Sequence, residues 1–169
     1  SARLGAPDQG WNAAIRVLSI ERATNRMYRA WRFECELRQL IAACKSDPQL
    51  AKVLDDGYMQ RSIGDVVGEI DALRGLVERT VDQMMAGDKI GARGSLTKLF
   101  WSECHQAFMG LALSVVSQVN PRSSALAQRA RKHFTTAYLY SRAETIYAGA
   151  TEVQLDIIAQ RIMNLPKDL

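Results

Sequence analysis

DPQLAKVLDDGYMQRSIGDVVGEIDALRGLVERTVDQMMAGD, residues 47–88, is the stretch whose spacing settles the fold class. Asp47 followed by Pro48 predicts an N-cap and a proline at the first helical position, where its missing N–H costs nothing. Leu50, Val53, Leu54, Ile63, Val67, Ile70, Leu73, Val77, Val81 and Met84 then recur in steps of three and four, the spacing that lines one face of a helix. Gly87 and Asp88 close the segment.

On the N-terminal side, Pro7 and Asp8 offer a stop and a cap for a first helical segment. Its apolar stripe runs through Trp11, Ile15, Leu18, Met27, Ala30, Trp31, Leu37, Ile41 and Cys44. Arg22, Arg26, Arg29, Arg32 and Arg38 lie mostly off that stripe and read as a solvated outer face. On the C-terminal side an apolar helix is predicted over 95–119, ended by Asn120 and Pro121. Ser123 or Ser124 can cap a fourth helix carrying Leu126, Ala130, Phe134, Ala137 and Tyr138. After a break at Ala148 and Gly149, Thr151 can cap a fifth, stopped by Pro166. No segment alternates with a period of two. The expectation is all-α: an antiparallel up-down bundle of about four to five helices, three long and a final shorter pair.

With 169 residues and 47% hydrophobic content, one domain over 1–169 can bury roughly 70% of the surface of its unfolded chain and needs no disulfide or structural metal. Three cysteines without repeated spacing suit a reducing, cytoplasmic compartment. The net charge of +4 is spread along the chain, so neither nucleic acid nor a membrane surface is expected as a partner. No apolar run approaches the roughly 18 to 20 residues that span a bilayer. The chain opens at Ser1 without an initiator methionine, which suggests processing or a longer parent.

Chemistry-bearing motifs are few. The Glu-x-x-His pattern of di-iron bundles is absent, His105 and His133 are the only histidines, and Cys104 beside His105 has no second pair at zinc spacing. No metal site is expected, and His105 reads as structural. There is no phosphate-cradling glycine loop and no serine elbow. The six methionines fall largely at core spacing.

One stretch is more specific. YLYSRAETIYAGATEVQLDIIAQRIMNLP, residues 138–166, resembles the C-terminal signature of acyl-CoA dehydrogenases. It has an arginine five residues before a tyrosine, a small loop after it, the Glu152 and Gln154 pair, and an amphipathic helix ending at Leu165 and Pro166. GWNAAIRVLSIER, residues 10–22, and KLFWSECHQAFMGLAL, residues 98–113, resemble the same family in the expected order.

The resemblance implies that these residues are the C-terminal helical domain alone, without the family's N-terminal helical and middle β domains. It implies oxidation of an acyl-CoA to the 2,3-enoyl-CoA: a carboxylate removes the α-proton while hydride passes from the β-carbon to flavin. The family's loop glutamate is replaced here by Ala148, so the resemblance points instead to Glu21, followed by Arg22, as the base. Tyr147 and Gly149, with Arg22, match substrate-lining positions, and Ala150, Thr151 and Glu152 match the flavin-contacting triplet. Glu144 reads as a weaker candidate base. FAD is implied for the full-length protein and is not expected to bind this domain tightly. Acyl-CoA, an electron-transfer flavoprotein and a homo- or hetero-oligomer are the implied partners. The alternative is a non-catalytic subunit of the same family acting in oligomerisation. Ala150 in place of the usual threonine, and the absent Arg-x-x-Phe-Gly motif near residues 37–48, favour it.

Overall fold

Short-range side-chain caps set the starts of three of the helices, at Asp47, Asp56 and Ser124. The computed structural model describes residues 5–24 and 27–166 and contains helices α1 (Gly10–Thr24), α2 (Arg29–Lys45), α3 (Pro48–Asp55), α4 (Gly57–Met85), α5 (Arg93–Val116), α6 (Ala125–Ser141) and α7 (Thr151–Arg161), with a 3₁₀ turn at Arg142–Thr145. No strand occurs among the described residues. Asp47 caps α3, its Oδ1 accepting from the Gln49 and Leu50 amides at 2.9 and 3.2 Å. Ser124 rather than Ser123 caps α6, its hydroxyl accepting from the Ala127 amide. Each such bond satisfies an amide that the first turn leaves without a partner.

Two expected segments are each two helices. The first divides between Thr24 and Arg29, beside Thr24 and Asn25, both weak helix formers. The second divides at Asp56, which is extended (φ −73°, ψ 123°) while its carboxylate accepts from the Met59 amide. Asp55-Asp56-Gly57 is a turn signal set within an unbroken apolar period. The register of α4 also shifts: Val66, Ile70, Leu73, Val77 and Thr80 are buried, whereas Val67 and Val81 are exposed.

α5 is the hub of the bundle. Trp101, Cys104, Phe108, Met109, Ala112, Val115 and Val116 bury its several faces, and it packs against α1, α2, α4, α6, α7 and the 3₁₀ turn. A helix without a polar stripe is stable only when surrounded. Phe108 meets Phe134 of α6 edge-on at 6.3 Å. α1 and the C-terminal stretch are wetter than their composition warrants: Trp11 is 74% exposed, Val17 65% and Met163 61%. No described helix is long and apolar enough to cross a membrane.

Candidate functional site

The 3₁₀ turn leads into a tight connection before α7. The Ile146 and Tyr147 amides both donate to the Ala143 carbonyl at 3.0 Å. The chain then reverses through two left-handed residues, Ala148 (φ 55°) and Gly149 (φ 98°). Glycine is required at the second: a Cβ there would lie 2.0 Å from Gln154 Nε2. Gln154 is fully buried, and neither its Oε1 nor its Nε2 has a hydrogen-bond partner.

This turn gathers Tyr147, Gly149, Ala150, Thr151 and Glu152 in one place. The first four are half-buried and Glu152 is exposed. The expected cap is displaced by one residue. Ala150 holds the N-cap position without any side-chain bond, so Thr151 is the first helical residue. Its hydroxyl is buried without a partner. The α7 entrance therefore combines uncapped backbone amides with an unused hydroxyl, a donor set for a polar ligand.

Beneath the turn lies a buried charged cluster that local sequence reading does not reveal. Arg29 is a correction to the solvated-face reading: it is 4% exposed, and its Nη1 donates to Glu144 Oε1 at 2.7 Å. Arg29 Nη2 donates to the Tyr147 hydroxyl at 3.1 Å, and that hydroxyl donates to Glu144 Oε1 at 3.3 Å. The Arg29 guanidinium stacks 3.8 Å from the Trp101 ring centre. His105 Nδ1 lies 2.5 Å from Glu144 Oε2, and its Nε2 lies 3.4 Å from Glu36 Oε2. The imidazole is stacked on Phe33, 4.3 Å between centres. Arg32 Nε donates to Glu36 Oε1 at 3.0 Å, and Lys98 Nζ donates to the Glu144 carbonyl at 2.9 Å.

Charge balance holds this cluster together. Burial alone lowers the His105 pKa, but hydrogen bonds and charge from Glu144 and Glu36 outweigh it and hold the imidazole above its ordinary value. Burial alone raises the Glu144 carboxyl, and His105 and Arg29 outweigh it and hold it below the usual range. Glu36 is likewise lowered against its burial, by His105 and Arg32. Burial and the Tyr140 hydroxyl push the Tyr147 phenol up despite Arg29. His105 is structural in the sense expected, but its role is electrostatic: it ties α5 to α2 and to the 3₁₀ turn.

Glu21 sits half-buried on the last turns of α1. Arg22 follows it on the helix, and its side chain lies outside the described residues, as does Arg26. α1, the 3₁₀ turn and α7 all rest on α5, so Glu21 and the Tyr147 turn share one support. Among the described residues no three His, Cys, Asp or Glu side chains converge as metal ligands. Burial, with the nearby Glu69, pushes the Cys104 thiol up to about 12, which suppresses its thiolate.

The family described as "Acyl-CoA dehydrogenase, C-terminal domain" matches residues 8–163. Acyl-CoA dehydrogenase IpdE1 of Mycolicibacterium smegmatis is 26% identical over 166 residues, 98% of this chain and 39% of that protein. Its Mycobacterium tuberculosis counterpart is 26% identical over 167 residues, 98% of this chain and 40% of that protein. A solved variant of the Tcur3481-Tcur3483 steroid ACAD superposes with a TM-score of 0.79 at 19% identity, over 96% of this chain and 42% of that chain. This chain thus spans about two-fifths of the length of the curated relatives it matches.

Proposed function

The chain belongs to the acyl-CoA dehydrogenase family, matching its C-terminal domain, and from that premise we propose that it is the C-terminal helical domain of a flavin-dependent acyl-CoA dehydrogenase, with Glu21 as the base. The observation that carries the proposal is the Tyr147–Thr151 turn. Two left-handed residues, a glycine seated on the Gln154 amide and an anchor of buried charges hold one conformation of the segment that the family resemblance assigns to substrate and flavin.

The α7 entrance suits the flavin. Its uncapped amides and the partnerless Thr151 hydroxyl are donors for polar atoms of FAD; Ala150 contributes backbone only, and Glu152 stands exposed beside them. FAD, when bound, supplies the hydride acceptor. Tyr147 and Gly149, with Arg22, line the thioester end of an acyl-CoA. Ala148 has no acid–base group, so the turn itself cannot remove the α-proton, and a carboxylate oxygen of Glu21 takes it. The chain alone is inactive on this reading. The reading places the protein in the cytoplasm, with acyl-CoA as substrate and an electron-transfer flavoprotein as electron acceptor.

A second reading, a non-catalytic subunit acting in oligomerisation, is favoured by the exposed apolar side chains of α1 and of the C-terminal stretch. One experiment separates the two. In the full-length protein, Glu21→Gln is tested by anaerobic flavin bleaching with a panel of acyl-CoAs. Loss of about a hundredfold to ten-thousandfold at unchanged flavin content is expected for a positioned base. Partial recovery is expected on adding Ala148→Glu. Bleaching as fast as the parent removes Glu21 from catalysis.

A further inference from the structure

Arg29 stands where local chemistry disfavours a cation. It is the first residue of α2, and Tyr28 before it makes no side-chain cap bond. A positive charge in the first turn of a helix opposes the helix dipole. Burial adds to the cost, since Arg29 is 4% exposed. Such a residue is held by partners from elsewhere in the fold.

Those partners divide the guanidinium. A carboxylate frequently takes an arginine side-on, with both of its oxygens on two nitrogens. Here Glu144 Oε2 is taken by His105 Nδ1 at 2.5 Å, so Oε1 alone meets Arg29 Nη1, at 2.7 Å. The second terminal nitrogen, Nη2, donates instead to the Tyr147 hydroxyl at 3.1 Å. Arg29 Nε is buried without a hydrogen-bond partner, so Glu144, Tyr147 and the Trp101 ring set the plane of the group.

The backbone of the turn has other supports. Lys98 Nζ holds the Glu144 carbonyl, and Gln106 Nε2 holds the Ser141 carbonyl and the Thr145 hydroxyl. What Nη2 fixes is the direction of the phenol, whose ring centre lies 6.4 Å from that of Trp101 and 6.0 Å from that of Tyr140. A lysine, being a point charge on a flexible stem, can neutralise Glu144 but cannot span both groups as a rigid fork does.

We propose that Arg29 is a positioning residue: one guanidinium nitrogen anchors it on Glu144, and the other sets the Tyr147 ring against the thioester end of the acyl-CoA. The inference rests on the reading of the Tyr147 turn as the acyl-CoA site, and not on Glu21 as the base. A misplacement of about 1 Å at a reacting centre can cost roughly a hundredfold in rate. The role is therefore read in turnover rather than in binding.

The test is anaerobic flavin bleaching of the full-length protein, with straight-chain, branched and polycyclic acyl-CoAs as probes. In Arg29→Lys the bleaching rate at saturating acyl-CoA should fall about tenfold to a hundredfold. The half-saturating concentration should stay within about threefold, with flavin content and circular dichroism unchanged. Tyr147→Phe, which leaves the Arg29–Glu144 pair in place, should lose a similar factor. The double substitution should lose no more than the larger single loss, because both changes remove the same hydrogen bond. Losses that multiply, as two separate structural roles predict, would overturn the proposal, and so would Arg29→Lys bleaching as fast as the parent. Tyr147→Phe bleaching as fast as the parent overturns it too, even where Arg29→Lys fails to fold. A parent that no acyl-CoA bleaches defeats the acyl-CoA reading and the positioning role with it. A parent that bleaches beside an equally fast Arg29→Lys defeats the positioning role alone.

Discussion

Replacing Glu144 with leucine tests the charged cluster directly. Glu144 is fully buried and its carboxylate accepts from Arg29, His105 and Tyr147. The leucine leaves Arg29, with a side chain 5% exposed, as a cation without its main partner. Removing one member of a buried pair costs about 3 to 5 kcal/mol, a large part of the roughly 5 to 15 kcal/mol that stabilises an ordinary domain. Glu144→Gln keeps an acceptor and should cost less. Arg29→Met combined with Glu144→Leu should be more stable than Glu144→Leu alone, because it removes the stranded cation. Urea unfolding followed by circular dichroism measures all three.

The same experiment carries a sign in pH. His105 is held above its ordinary value of 6.5, so its contribution is complete below about 6.5 and is lost as pH rises through the folded pKa. Glu36 and Glu144 are held below their ordinary 4.5, so theirs is present above about 4.5 and is lost as pH falls through the folded pKa. Stability from this cluster should therefore peak on the acidic side of neutrality. Each proton contributes a slope of at most about 1.4 kcal/mol per pH unit. Above pH 6.5 the slope should be shallower in Glu144→Gln, where Glu36 is the only carboxylate left to His105. The reasoning is refuted if Glu144→Leu costs less than about 1 kcal/mol, or if the double substitution is no more stable than the single.

Four further outcomes follow from the geometry. Gly149→Ala sets a Cβ 2.0 Å from Gln154 Nε2 at a φ of 98°, and thermal melts should show a loss of about 2 to 4 kcal/mol; Ala148→Gly, at φ 55°, should be neutral or stabilising by up to about 1 kcal/mol. Asp47→Ala should lower Tm more than a surface substitution does, because one carboxylate holds the Gln49 and Leu50 amides and also the Ser124 amide of the α6 entrance. Sedimentation of the isolated chain should show self-association through its exposed apolar side chains, and Trp11→Glu, at a residue 74% exposed, should shift it toward monomer.

The all-helical class was legible from residues 47–88, and so were the cap at Asp47 and, to within the Ser123–Ser124 pair, that of α6, because a cap is a contract between residues two or three apart in the chain. The family was legible from residues 138–166, whose spacing is local too. The break at Asp56 had a local signal in Asp55-Asp56-Gly57 that an unbroken apolar period masked. Tertiary structure alone decided that Arg29 is buried, since Glu144, the partner that neutralises it, lies 115 residues away. It also decided that His105 bridges Glu144 and Glu36 and that Thr151 begins α7 rather than capping it. Helical periodicity reports which face of a segment is apolar. The burial of a charge depends on what another segment brings to meet it, and that pairing is set only when the helices pack.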